Sequence, residues 1–541
     1  MDKSLNTAKV FKESEGQRAA EENQTENAAA APDASDVLDD SCSASGYREV
    51  LKATSITGVS SLVQILLRMV KSKVIAVAVG PTGIGMFGVL TSATGLISTL
   101  VGLGINSSGV RQIAAADGDE DHTARVVRTL RRTSSVLGLL GTIVVLIFAK
   151  PIARLTTGSE EYAGYLMLLA PLIFFTTVNG GQIALLRGLR LISTLARLSI
   201  IGAVVGTGLA VPFVLILGLD GIAPAMLVTA AVTLGASWFY ARQVKIPDVT
   251  LTPGQFRDEV SRLLGLGVVF LLTGVQTNAV QFTIRTVLLY LTDLVTVGQF
   301  LAAAMLSHVY VGFVLQAMGM DYLPRLTRSH HDARSCNRLV NEQSEVALLV
   351  AGPGIVALAV FAPLLIPVFY SAQFSAAIEV FRWQCLGVLI KVASWPIGFV
   401  LIAKGMRRTY LVTETVSNVF YLAIFFIFAK AFGLIGAALA YAALYLFYLA
   451  MVLILVHKVT GFWWSACAQT VLVTTVASYV STLAINAWVP SPWGAIAGFC
   501  LVIATCLWAY HQLCRRLDLP LARVVVQKLK QITQRTPFRR G

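Results

Sequence analysis

The stretch "VFYLAIFFIFAKAFGLIGAALAYAALYLFYLAMVLILV", residues 419–456, carries a single charge, Lys430. As one continuous helix its 38 residues would run about 57 Å at 1.5 Å per residue, nearly twice the ~30 Å of a bilayer's hydrocarbon core. It therefore reads as two membrane spans, 410–431 and 433–456, meeting at Gly433. Working outward, apolar runs of similar length recur at 54–79, 84–110, 134–155, 163–186, 198–217, 221–241, 263–290, 294–320, 344–369, 378–403, 464–487 and 491–512.

Composition agrees. The 541 residues are 56% hydrophobic and 13% charged, with mean hydropathy +0.71, against about a quarter charged in a soluble domain. The formal charge of +14 does not point to nucleic acid, because Lys and Arg sit in short links between spans rather than on one polar face. The seven cysteines, Cys42, Cys336, Cys385, Cys467, Cys500, Cys506 and Cys514, show no metal-ligand spacing and read as small buried hydrophobes.

With the amino terminus placed inside, 34 of the 43 Lys and Arg fall in cytoplasmic links and tails, and three (Lys150, Arg154, Lys430) on the opposite face. That asymmetry places both termini in the cytoplasm. Residues 1–47 lack a signal-peptide core and are too polar to order, so a disordered cytoplasmic tail is expected. Residues 514–541 alternate basic and apolar positions at helical spacing, as a segment lying on an anionic leaflet would.

The chain also repeats. "GIGMFGVL" at 83–90 answers "TVGQFLAA" at 296–303, "LLRGLR" at 185–190 answers "LIAKGMR" at 401–407, and "GLDGIA" at 218–223 answers "GLIGAA" at 433–438, at offsets near 215 residues. Six spans per unit is an even number, so both units enter from the same side and form a parallel repeat. The expected fold is an all-α integral membrane protein of about 14 transmembrane helices. It has two pseudo-symmetric six-helix lobes, 48–245 and 246–460, plus two extra C-terminal helices within 461–513.

The remaining six cations lie inside spans: Arg68, Lys71, Lys73, Arg285, Arg382 and Lys391. Each costs at least about 2.5–3.5 kcal/mol near a helix centre unless it meets a cavity or partner. Arg382, close to a span end, reads as snorkelling to a headgroup. The repeat offset carries Arg285 onto Ser72, between Lys71 and Lys73, so the first helix of each lobe brings positive charge to one depth. Two such helices would frame a cationic chamber for an anionic substrate. Glu414 and Asp321, near span ends, read as partners of Arg408 and Arg325, with a coupling role left open.

Gln64, Asn106, Asn179, Gln182, Gln276, Asn278, Gln281 and Asn418 could line that cavity or join helices. Tyr310, Trp383 and Trp395 fit sugar stacking or packing against lipid equally. No phosphate-binding loop, GxSxG or HExxH occurs, and the longest internal polar link, about 23 residues, is too short for the catalytic domain of a multispan glycosyltransferase. No enzyme activity and no cofactor are expected.

Particular stretches carry a family likeness. "KVIAVAVGPTGIG" closes the first span, "VGQFLAAAMLSHVYVGFVLQAMGMDYLPRL" fills the eighth, and "EVFRWQCLGVLIKV" with "VLIAKGMRRTY" the tenth. Over about residues 50–458 the chain resembles the Wzx-type polysaccharide flippases, the lipid III and O-antigen translocases of the multidrug/oligosaccharidyl-lipid/polysaccharide exporter superfamily. The resemblance implies a two-lobed bundle of a bacterial inner membrane that flips undecaprenyl-pyrophosphate-linked oligosaccharide outward by alternating access. Lys73, Arg285 and Lys391 would meet the headgroup, with Lys71, Arg68, Gln281, Asn278, Trp383 and Gln384 around them. Val388 stands after Gly387 where relatives carry an acid, which counts against carboxylate coupling at that point. Coupling to H+ or Na+ is left open. Membrane lipids, a polysaccharide polymerase and a chain-length regulator are the implied partners. The alternative is a cation-coupled multidrug exporter of the same fold, which predicts buried acids where this chain has cations.

Overall fold

A computed structural model of the chain describes residues 44–116, 119–247, 249–490 and 492–517; both expected tail segments lie almost wholly outside them, as does Cys42. Among the described residues every regular element is helical. The first half comprises α1 (Ala44–Ala78), α2 (Gly80–Gly102), α3 (Ile105–Ala115), α4 (Glu120–Ile147), α5 (Ala149–Thr157), α6 (Ala163–Gly188), α7 (Ile192–Leu217) and α8 (Ile222–Arg242). The second comprises α9 (Pro253–Leu291), α10 (Leu294–Arg328), α11 (Ala333–Val360), α12 (Ala362–Phe369), a 3₁₀ turn (Ala372–Phe374), α13 (Ser375–Ala403) and α14 (Arg407–Thr460), and α15 (Ala466–Trp488) and α16 (Trp493–Leu517) follow. Residues up to Leu62 form a unit of their own; the packing below concerns the body from Val63 onward.

Local chemistry sets the helix ends. Thr252 and Gln255 form a reciprocal capping box with Pro253 at the first helical position of α9, while Asp293, Asp332 and Ser465 accept backbone N–H groups at the starts of α10, α11 and α15. The expected second span is broken where Leu103 and Gly104 both take positive φ (46° and 67°). The two spans of the opening stretch run as one assigned helix, α14, turned sharply at Gly433 (φ 58°).

Eleven of the described helices are long and apolar enough to cross a membrane, and α9 adds a bent pair, Pro253–Val268 and Phe270–Leu291, inclined at 47°. The second arm of α14 and α1, which carries Arg68, Lys71 and Lys73, complete the fourteen.

The halves are built alike. In the first, α6 packs against α3, α4 and α8, and α8 against α7; in the second, α13 packs against α10, α11 and α14. They meet where α2 lies along α9 and α10. A methyl on Gly85 would fall 2.1 Å from Leu294 O, and one on Gly298 1.9 Å from Pro81 O. The repeat offset relates Pro81 to Leu294 and Gly85 to Gly298, so this contact is reciprocal, as a two-fold relation between repeats requires. Close backbone approach through small residues is how helices associate in lipid, where apolar burial gives no net drive.

Links that the alternation of spans assigns to one face gather at one end of the bundle. Lys404 donates to His330 O (2.9 Å), Asn337 to Thr460 O (2.9 Å), and Arg516 pairs with Glu345 (2.8 Å). At the other end Tyr165 meets Asp220, and Gln299 donates to Gln373 O at 2.8 Å.

Arg382 corrects an expectation. Rather than reaching a headgroup it is 9% exposed, closed in by α11 and α15. It donates to Asn486 Oδ1 (2.6 Å), Glu379 (3.3 Å) and Ala359 O (3.3 Å), while its own carbonyl accepts from Tyr479 (2.5 Å). A guanidinium with no open path to the interface is retained only when its donors are satisfied, and here they tie the appended pair to the second half. The cysteines divide as well: Cys336 and Cys385 are buried, but Cys467, Cys500 and Cys506 are exposed on the outer faces of α15 and α16.

Candidate functional site

The interior cations do not share one chamber. Lys73 crosses from α1 to the second half and donates to two carbonyls at the end of α12, Tyr370 O (2.5 Å) and Pro367 O (3.1 Å), an arrangement that suits an ammonium at a helix carboxyl terminus. Arg68 borders the same corner, on a cavity of about 220 Å³ lined by Met69, Met305, Phe369 and Tyr370. Lys71 turns the other way, 3.4 Å from Thr229 Oγ1 on α8 and 5.1 Å from the centre of the Phe87 ring.

Arg285 makes the converse crossing. From α9 its Nη1 donates to Gly88 O of α2 at 3.0 Å, and Nη2 lies 3.5 Å from Gln281 Oε1. Its Nε is buried with no hydrogen-bond partner among the described residues. Lys73 and Arg285, from nearly equivalent repeat positions, thus each reach across to a carbonyl of the opposite half. The carbonyls supply the partial negative charge that keeps a desolvated cation tolerable. Asn278, two turns away on α9, joins the same seam by donating to Thr99 Oγ1 of α2 at 3.0 Å, and Gln276 donates to Thr415 of α14 at 3.3 Å; both fasten helices together.

Lys391 stands apart, in a chamber of about 260 Å³ between α13 and the two arms of α14. One face of α13 (Lys391, Ser394, Trp395, Phe399) meets Tyr410, Glu414 and Asn418 of one arm and Tyr445 and Tyr448 of the other. Glycine makes the close fit possible: a methyl on Gly398 would lie 2.7 Å from the Tyr448 hydroxyl. Lys391 Nζ lies 5.4 Å from the centre of the Tyr445 ring and makes no hydrogen bond among the described residues. Glu414 accepts from Tyr448 (3.4 Å), not from Arg408 as its sequence position suggested, because it faces inward along α14 rather than toward the helix start. Asp321 pairs with Arg325 at 3.2 Å on the exposed surface. Behind the chamber, His308 Nε2 lies 2.6 Å from the Tyr441 hydroxyl and Ser307 donates to Gln384 (3.4 Å).

Sequence reasoning singled out Lys391, as a headgroup contact in one cavity with Lys73 and Arg285, and left Trp395 open between sugar and lipid; it did not foresee this separate chamber or its tyrosines. Their signal was present: Tyr410, Glu414 and Asn418 recur every four residues, and Tyr441, Tyr445 and Tyr448 at four and three, each set on one helix face. Trp383 and Gln384 fall elsewhere, Trp383 packed against the apolar core and Gln384 buried within it. Tyr310 is held by Val350 O (2.9 Å).

A bundle of fourteen spans in two related halves, with cations bridging the seam and a polar aromatic chamber within one half, is a polytopic transporter. The model of the polysaccharide biosynthesis protein family matches residues 74–379, more than half of the sequence, and the chain belongs to that family. It is 25% identical over 407 residues to the lipid III flippase of Escherichia coli (strain K12), covering 74% of this chain and 96% of that one. Among solved structures, the lipid II flippase MurJ in an inward closed conformation superposes with a TM-score of 0.69 at 13% identity, covering 85% of this chain and 99% of that one. An inward-facing MATE-family multidrug resistance transporter of the MOP superfamily superposes with a TM-score of 0.59 at 19% identity, covering 73% and 95%. At those identities the two superpositions establish the shared fold.

Proposed function

We propose that this protein is a flippase for lipid-linked oligosaccharide, moving undecaprenyl-pyrophosphate-linked repeat units from the cytoplasmic to the outer leaflet of a bacterial inner membrane for O-antigen or exopolysaccharide assembly. Both termini then lie in the cytoplasm. The observation that carries this reading is the match to nearly the full length of a lipid III flippase, joined to interior cations that buried acids do not balance. In the mechanism, Lys73 and Arg285 rest on carbonyls of the opposite half while the seam is closed. As the halves part, those carbonyls withdraw and the pyrophosphate oxygens take their place, with Arg68, Lys71 and Gln281 close by. The polyprenyl chain stays in lipid, and rocking of the halves exposes the headgroup to the other side. Moving one charge through 100 mV is worth about 2.3 kcal/mol, so membrane potential or H+ or Na+ antiport can return the empty carrier, with Glu414 the candidate proton or cation carrier and Asp321 a weaker one. A polysaccharide polymerase and a chain-length regulator are the natural downstream partners.

The second reading, a cation-coupled drug exporter, draws on the MATE-like fold and on Glu414. Reconstitution separates the two. Purified protein in liposomes containing fluorescently labelled polyprenyl-pyrophosphate oligosaccharide should expose the label to an external lectin. Extrusion of a cationic dye with no movement of the lipid would transfer the assignment to the exporter.

A further inference from the structure

A cleft of about 380 Å³ lies at the end of the bundle where α4 begins and α6 and α8 end. Arg190 and Lys245 line it from the links after α6 and α8, Asp119 and Glu120 from the start of α4, and Ile113 and Ile246 form part of its apolar wall. Among the described residues no ion pair within 4 Å joins these two cations to these two carboxylates, so both signs of charge are presented to one space. Arg190 is held there at a cost. Its φ is 54°, in the left-handed region that a Cβ disfavours. The second half builds the same turn with glycine. Arg190 N–H donates to Arg187 O and Leu191 N–H to Leu186 O, just as Gly405 N–H donates to Ile402 O and Met406 N–H to Leu401 O, and Gly405 takes the left-handed place (φ 69°). An arginine where the turn asks for glycine is retained for its side chain. Near the end of α8, Trp238 is 53% exposed and lies 4.6 Å beneath the Arg242 guanidinium. An exposed aromatic paired with a base marks the level of lipid headgroups, and the wall at Val244 and Ile246 comes just past Arg242.

A headgroup carrying phosphate and ammonium together answers all four charges. At about 30 Å³ per water, the cleft's 380 Å³ holds on the order of a dozen, more than the roughly eight non-hydrogen atoms of such a headgroup need. A quaternary ammonium is recognised by aromatic faces, and no aromatic side chain is among the described residues that line the cleft. A phosphate without an ammonium would leave Asp119 and Glu120 unanswered. We propose that this cleft binds the headgroup of a phosphoethanolamine lipid from the adjoining leaflet, its phosphate on Arg190 and Lys245 and its ammonium on Asp119 and Glu120. The bound lipid bridges the start of α4 to the ends of α6 and α8. The proposal holds whatever the chain transports.

The test is native mass spectrometry of purified full-length protein in detergent, supplied with phosphatidylethanolamine, phosphatidylcholine or phosphatidylglycerol of identical acyl chains. Phosphatidylethanolamine adducts should be several-fold more abundant than either of the others. Arg190→Gly, which keeps the turn and removes the side chain, should lower them at least fivefold with no fall in melting temperature. Glu120→Gln should lower them as well while leaving phosphatidylglycerol adducts no weaker than in wild type. Equal adducts of the three lipids, or phosphatidylethanolamine adducts indifferent to Arg190→Gly, would overturn the proposal. A lower melting temperature in Arg190→Gly would do the same, since it would make the arginine a prop of the turn. Stabilisation by soluble O-phosphoethanolamine without retention of the lipid would also overturn it, by making the ligand a free solute.

Discussion

Gly85 and Gly298 occupy the same position in the two repeats and close one contact from opposite sides. The absent side chain of each leaves room for a backbone carbonyl of the other's helix, Leu294 O against Gly85 and Pro81 O against Gly298. The halves therefore touch backbone to backbone at this end. Further along the same seam Gly104 does likewise: a methyl there would fall 2.1 Å from Gly267 O, one residue before the bent pair's first arm ends at Val268.

Valine at either Gly85 or Gly298 should hold the halves apart. Backbone atoms cannot yield as a side chain can, so the closed packing is lost rather than adjusted. We expect surface polysaccharide to fall at least tenfold with normal protein abundance on immunoblots. Wild-type polysaccharide in both variants would show that this contact is dispensable for transport.

Lys73→Met removes two charge-assisted hydrogen bonds to the end of α12. At roughly 1.5–3 kcal/mol for a bond to a charged group, the variant should melt several degrees below wild type in detergent. Arg285→Gln should reduce flipping at least tenfold and lower the melting temperature by less than Lys73→Met, since it gives up one charge-assisted bond across the seam, to Gly88 O, and relieves a buried Nε that lacks a partner among the described residues. Arg285→Lys should keep part of the activity.

Arg382→Met strips the charge that ties α15 to α13. Breaking a buried charge network costs about 3–5 kcal/mol, and the appended pair should loosen first. Limited proteolysis within 461–465 should accelerate in this variant. Asn486→Leu, which leaves the Glu379 contact intact, should have a smaller effect.

Asp332 caps α11 outside the spans. The Ser335 hydroxyl, then the backbone N–H groups of Ser335 and Arg334, hold its carboxyl below the ordinary value. Because the folded value is the lower one, its stabilisation is complete above the unfolded value near 3.9 and disappears as pH falls through the folded value. Wild type and Asp332→Ala should differ in melting temperature at pH 7 and converge at the acid limit; a constant gap across that range would contradict the assignment.

The fold was legible because its signals are additive along the chain. Twenty apolar residues must span wherever they occur, and the glycine pattern of one repeat predicts the other. Site residues were legible only as types. Six cations inside spans announced themselves by their cost, but nothing in the spacing of Arg382 says that Asn486, 104 residues on, will meet it. Its position near a span end suggested snorkelling because the sequence does not reveal that α15 closes over that end.

Hydropathy, charge asymmetry and the repeat are thus properties of the sequence by itself, and they determined a fourteen-span bundle of two like halves. Tertiary structure alone decided where each cation's charge is spent. Lys73 and Arg285 go to carbonyls across the seam, Arg382 to the appended helices and Lys391 to an aromatic chamber. A side chain's electrostatic partner depends on which helix faces lie within a few ångströms, and the chain fixes that only when all its helices pack together.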